Sequence, residues 1–182
     1  MIRKILFATF LLLPVILYAQ LSERDANDTY WTMSEKPKEV YNRVVLYRPG
    51  DYSSKNYRIP AIITASDGSL VAACDKRKYN DRDLPEDIDI LINRSTDGGN
   101  SWSAPLTLAK GTGVEHGFGD CALVRTNEEG GLIAVFVGGV GFWPSRPDTP
   151  QRTYLCRSHD NGRTWSEPKD ITHFILGPDC VI

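Results

Sequence analysis

An all-β fold is what the sequence predicts, and three observations predict it. Two near-identical octads, Ser95-Thr96-Asp97-Gly98-Gly99-Asn100-Ser101-Trp102 and Ser158-His159-Asp160-Asn161-Gly162-Arg163-Thr164-Trp165, share the pattern Ser-x-Asp-x-Gly-x-Ser/Thr-Trp and begin 63 residues apart. Such a repeat, each copy closing a strand-like run, marks a recurring hairpin unit. Short apolar runs alternate with turn-forming clusters along most of the chain. No segment after the N-terminal apolar run carries a helical stripe.

The elements follow in order. Arg3 and Lys4 precede an apolar run from Ile5 to Ala19, broken only by Thr9 and Pro14. That run is shorter than the ~20 residues a spanning helix needs, and reads as a secretory signal, residues 1–19, cut near Ala19. Residues 20–42 are polar, without sustained periodicity, and read as a leader or linker. From Arg43 the predicted strands are Val44–Tyr47, Ala61–Thr64, Ser69–Cys74, Ile88–Ile92, Leu132–Val137 and Thr153–Cys156. Ile88, Ile90 and Ile92 alternate with Asp89, Leu91 and Asn93, the pattern of a half-buried strand. Turns fall at Ala65–Gly68, at Asn127–Gly131 and in the octads. In each octad the Asp can accept hydrogen bonds from its own turn, Gly99 or Gly162 supplies angles that a Cβ disfavours, and the Trp packs across the hairpin. Asp97, Trp102, Asp160 and Trp165 are therefore read as structural.

Composition narrows the function. The chain holds 21 Lys and Arg against 23 Asp and Glu; without the signal, 19 basic residues remain, a formal charge of −4. No basic block exists, so neither nucleic acid nor an anionic membrane is a predicted partner, and an anionic ligand must be held by a few focused arginines. Cys74, Cys121, Cys156 and Cys180 lack Cys-x-x-Cys spacing, so zinc is not expected; in an exported chain they pair or stay as buried thiols. His116, His159 and His173 show no metal-ligand spacing and read as polar surface or loop residues.

The octads resemble the Asp-box, and Tyr57-Arg58-Ile59-Pro60 upstream resembles the arginine motif of the sialidase (neuraminidase) superfamily, nearest to secreted bacterial exo-α-sialidases; the likeness runs from about Val44 to Leu176. It implies a six-bladed β-propeller, with residues 43–182 as the N-terminal part of its catalytic domain, about two to three blades, and a chain that is inactive by itself. The implied reaction removes terminal sialic acid from glycoproteins, glycolipids or oligosaccharides, with retention and without a metal or organic cofactor.

The resemblance also assigns roles. Arg58 takes the position of a family arginine that grips the substrate carboxylate, for which paired guanidinium N–H donors are suited. Arg77, in Asp75-Lys76-Arg77-Lys78, matches an arginine near the sugar O4; ordinary charge at a strand end is the alternative. In the loop Tyr79–Asp87, Asp83 matches the general acid/base, with Asp81 and Asp87 as alternatives. Asp120 matches an Asp that receives the 4-hydroxyl or amide region, or else caps a turn. Trp143 borders the N-acetyl pocket, packs in the core or makes a loop contact. The nucleophile of such enzymes is a Tyr with a Glu partner, because an anionic nucleophile is repelled by the carboxylate on the carbon it attacks. That pair is expected outside this stretch, since Tyr47, Tyr57, Tyr79 and Tyr154 do not match. Two other functions are carried forward: a non-catalytic Asp-box propeller that binds glycans or proteins, and a related enzyme acting on another acidic sugar. The acidic loop favours catalysis, because a binding module needs no proton donor.

Overall fold

The computed structural model describes residues 44–176; the signal, the leader and Cys180 lie outside them. Two four-stranded antiparallel meanders follow one another. β1 (Asn56–Thr64), β2 (Leu70–Arg77), β3 (Ile88–Ser95) and β4 (Leu106–Ala109) form the first, hydrogen-bonded in that order. β5 (Phe118–Arg125), β6 (Leu132–Gly138), β7 (Arg152–Ser158) and β8 (Lys169–Asp170) form the second. A single helical turn, α1 (Thr172–Ile175), follows. Val71, Ile90 and Ile92 from one sheet and Leu132, Ala134 and Phe136 from the other meet in one core.

Five of the six predicted runs lie in strands, and Val44–Tyr47 does not. No ladder takes it up; Tyr47 instead stacks its ring on Tyr57 at 4.6 Å and donates its hydroxyl to Asn93. β4, β5 and β8 were not predicted. β8 is two residues long, and in β5 the outward positions Ala122 and Val124 are apolar like the inward Cys121 and Leu123, which leaves no alternation of residue type to read. The half-buried reading of β3 is also corrected: Asp89, Leu91 and Asn93 are as buried as the isoleucines. The polar members tolerate burial because they are satisfied. Asp89 pairs with Lys78 at 2.9 Å and accepts the Gly111 amide at 2.8 Å, while the Asn93 amide donates to the Ser103 carbonyl at 2.8 Å.

Both octads form the predicted turn, joining β3 to β4 and β7 to β8. The Asp97 carboxylate accepts the Ser101 amide at 2.9 Å, and that of Asp160 accepts the Arg163 and Thr164 amides at 3.0 and 2.9 Å. Gly99 and Gly162 have φ of 91° and 79°, and each Trp indole donates back to that glycine's carbonyl at 3.1 and 3.2 Å. The second octad also docks on the β1–β2 turn of the first sheet. Ser66 donates to Asn161 at 2.8 Å, and Asp67 accepts from Arg94 at 2.6 Å and Arg163 at 3.1 Å. These turns occupy one end of the sheets, and the β2–β3 and β6–β7 loops occupy the other. Cys74, Cys121 and Cys156 are free thiols, and burial pushes each up to about 12.

Candidate active site

The end opposite the octads collects the residues singled out above. β1 and β5 carry the same irregularity there: the ladder slips between Arg58 and Ala61 in one and between Gly119 and Ala122 in the other. Each bulge holds a non-glycine residue in the left-handed region, Ile59 at φ 52° and Asp120 at φ 57°. A β-branched residue ahead of a proline is doubly disfavoured at such an angle. Bulges re-aim side chains, and backbone strain of this kind gathers at functional sites.

Arg77 ends β2 almost fully buried, with 1 % of its surface exposed, so the reading of it as ordinary surface charge is excluded. Its Nη1 donates to the Asp81 carbonyl at 2.8 Å. Its Nη2 faces two carboxylates, Asp75 at 3.3 Å and Asp83 at 3.4 Å, and its buried Nε has no partner among the described residues. Asp75, Asp83 and Asp120 bring carboxylate oxygens within 4.8 Å of one another. Arg58 is exposed beside them, its Nη1 3.4 Å from the Asp81 carbonyl. Partial burial and then the Asp83 charge raise the Asp120 carboxyl, against the pull of Arg77 and Arg58. Burial raises Asp75 to about 7, although Arg77 opposes the shift.

Arg58, Arg77, Asp83 and Asp120 are thus together, drawn from β1, β2, the β2–β3 loop and β5. The alternatives to Asp83 separate by position. Asp87 is committed to Lys78 at 2.6 Å, and Asp81 offers its carbonyl to Arg77 and Arg58. The Asp83 side chain is 56 % exposed while facing Arg77. Gly141 braces this loop from the other sheet: a Cβ there would sit 2.7 Å from the Leu84 carbonyl. Trp143, two residues on, is 85 % exposed with its ring edge-on to Phe142, so core packing does not apply to it. A cleft of about 380 Å³ opens next to the Asp120 bulge, lined in part by Glu115, His116, Phe118, Arg152 and Tyr154. His159 and His173 are exposed.

Sequence reasoning missed Asp75, which was noted only as context for Arg77. It is fully buried; Oδ2 faces Arg77, and Oδ1 accepts the Asp120 amide at 3.1 Å. An aspartate at a central position of a strand was the available signal, because an acid is rarely buried without a partner.

Comparison with known proteins places this architecture. Residues 68–178 match the model of the BNR repeat-like domain. A sialidase of Bacteroides fragilis is 31 % identical over 163 residues, which cover 80 % of this chain and 30 % of the relative. A sialidase of Micromonospora viridifaciens is 36 % identical over 121 residues, covering 61 % and 18 %. Among solved structures, the Hadza microbial sialidase Hz136 superposes with a TM-score of 0.57 at 33 % identity, over 68 % of this chain and 27 % of that one. The K499G mutant of the NanB sialidase from Streptococcus pneumoniae, at 13 % identity, shares the fold alone, with a TM-score of 0.62 over 70 % and 38 %. The chain therefore spans less than a third of the length of the first two relatives. The two meanders are blades of the β-propeller these proteins share, and with its paired Asp-boxes in place the chain belongs to the BNR-repeat family of the bacterial sialidase superfamily.

Proposed function

We propose that this chain supplies the carboxylate-gripping and acid/base side of an exported exo-α-sialidase that removes terminal sialic acid from glycoconjugates. The observation that carries this reading is the convergence of Arg58, Arg77, Asp83 and Asp120 from two blades at one end of the sheets. A binding module has no use for an exposed carboxyl set between a buried arginine and a second acid.

The roles follow from position. Arg58, exposed and aimed by the β1 bulge, takes the substrate carboxylate as a bidentate partner. Asp83 donates a proton to the leaving-group oxygen and then takes one from the incoming water. Asp120 accepts from the 4-hydroxyl or amide region of the sugar. Arg77 lies below the surface, so it acts chiefly by holding Asp83 rather than by touching O4. A Tyr nucleophile with a Glu partner, supplied by other blades, gives net retention. Export rests on the basic, then apolar, first 19 residues.

Release of a fluorogenic aryl group from its α-sialoside by the full-length protein tests the reading. Turnover that Arg58→Lys weakens supports it; binding of sialylated glycans without turnover moves the protein to the non-catalytic reading.

A further inference from the structure

Among the buried polar groups that this chemistry leaves unused, Asp75 is foremost. It is fully buried at the seam between the two sheets. Its carboxylate is divided: Oδ2 lies 3.3 Å from Arg77 Nη2, and Oδ1 accepts the Asp120 amide at 3.1 Å. That amide belongs to the left-handed residue of the β5 bulge, a conformation that persists only where its surroundings hold it. Gly119 makes room for the contact, because a Cβ there would stand 3.3 Å from Asp75 Oδ2. The same Arg77 Nη2 reaches Asp83 at 3.4 Å.

We propose that Asp75 is the positioning residue of this site: one oxygen shares Arg77 with Asp83, and the other pins the bulge that aims Asp120. Two acids carried by different blades thereby keep a fixed separation across one sugar ring. Asp75 and Asp83 share one Arg77 Nη2, so removing the Asp75 charge changes what the guanidinium faces at Asp83. The inference rests on the sialidase reading above. Charged and titratable groups around Asp75 are Arg77 and Cys74 on its own strand, Asp120 and Cys121 on β5, Asp83 on the adjoining loop and Arg58 on β1.

Two variants of the full-length protein separate the two oxygens. Asp75→Asn keeps an acceptor for the Asp120 amide but gives Arg77 no counter-charge. Its kcat on a natural sialoside is expected to fall about tenfold, with KM within about twofold and turnover of an aryl sialoside spared. Asp75→Ala frees the bulge as well, and KM is then expected to rise about tenfold. If both variants keep the parent KM and lose equally on the two leaving groups, Asp75 merely supports folding and the proposal falls. Where a variant does not fold, or the parent does not turn over sialosides, the parent protein labelled with ¹³C-aspartate and ¹⁵N decides. The Asp120 amide resonance is expected to titrate together with the Asp75 carboxyl; an Asp120 amide indifferent to that titration overturns the proposal. An inactive parent with coupled titration removes the sialidase reading but leaves Asp75 as the tie between the blades.

Discussion

Arg77 and Asp83 form a pair in which one member is buried and the other reaches solvent, and that asymmetry governs what each substitution does. On the proposed reading Asp83→Asn removes the proton donor, and it is expected to leave the fold because the side chain lies at the surface of its loop. Turnover of natural sialosides is expected to fall by about 10²–10⁴, while an aryl sialoside, whose leaving group needs no proton, is largely spared; equal losses would assign the proton to another group. Arg58→Lys exchanges a planar fork for a point charge, and KM for a sialoside is expected to rise at least about tenfold, from the loss of a charged hydrogen bond. Arg58 was legible in the sequence through its tetrad, and Asp83 only through the family resemblance and its distance from Arg58 and Arg77, with Asp81 and Asp87 left as alternatives. Asp75 was not, because its second partner is an amide 45 positions away on another sheet. The burial of Arg77 was hidden as well, since a place at the end of a strand gives no sign of it.

The octad turn is the best example of an element written in local sequence. Its hydrogen bonds join groups at most four residues apart, so pattern alone specifies it. β5 is the converse case, with apolar residues at outward as well as inward positions, so that its residue types lack the alternation a strand is recognised by. The two octads are alike in hydrogen bonding but not in packing. A Cβ at Gly162 would meet Val71 of the first sheet at 2.9 Å, whereas at Gly99 the nearest atom is Leu70 at 3.5 Å. Both positions have positive φ. Gly162→Ala is therefore expected to cost about 2 kcal/mol by chemical denaturation and Gly99→Ala clearly less; equal losses would show that the turn, not the packing, sets the penalty. Asp67→Ala, which releases Arg94 and Arg163 from the docked turn, is expected to cost about 1–2 kcal/mol.

Two sets of carboxyls give the molecule opposite responses to acid. The Ser101 hydroxyl, followed by the amide and hydroxyl donors beside it, holds Asp97 down to about 2. In Asp160 slight burial works the other way but is outweighed by donors from Thr164, Ser158 and Arg163, again giving about 2. Groups depressed in the folded state contribute stability above the unfolded value, about 4, and lose it as pH falls through about 2. Asp75, raised to about 7 mainly by burial, has the reverse sign: its contribution is complete below about 4 and fades as pH rises through 7. The thermal midpoint is expected to be highest near about pH 4–5 and to decline on both sides, with Asp75→Asn removing the alkaline decline; a midpoint that rises steadily from pH 4 to 7 would contradict the burial of Asp75. The tie between the blades also has a consequence for synthesis on the ribosome. When the first meander has emerged, Asp75 still lacks the Asp120 amide, because β5 has not yet been made. Only after Arg125 has cleared the exit tunnel can that contact close, so the end of the sheets that gathers these acids is assembled late, from a half that waits and a half that arrives.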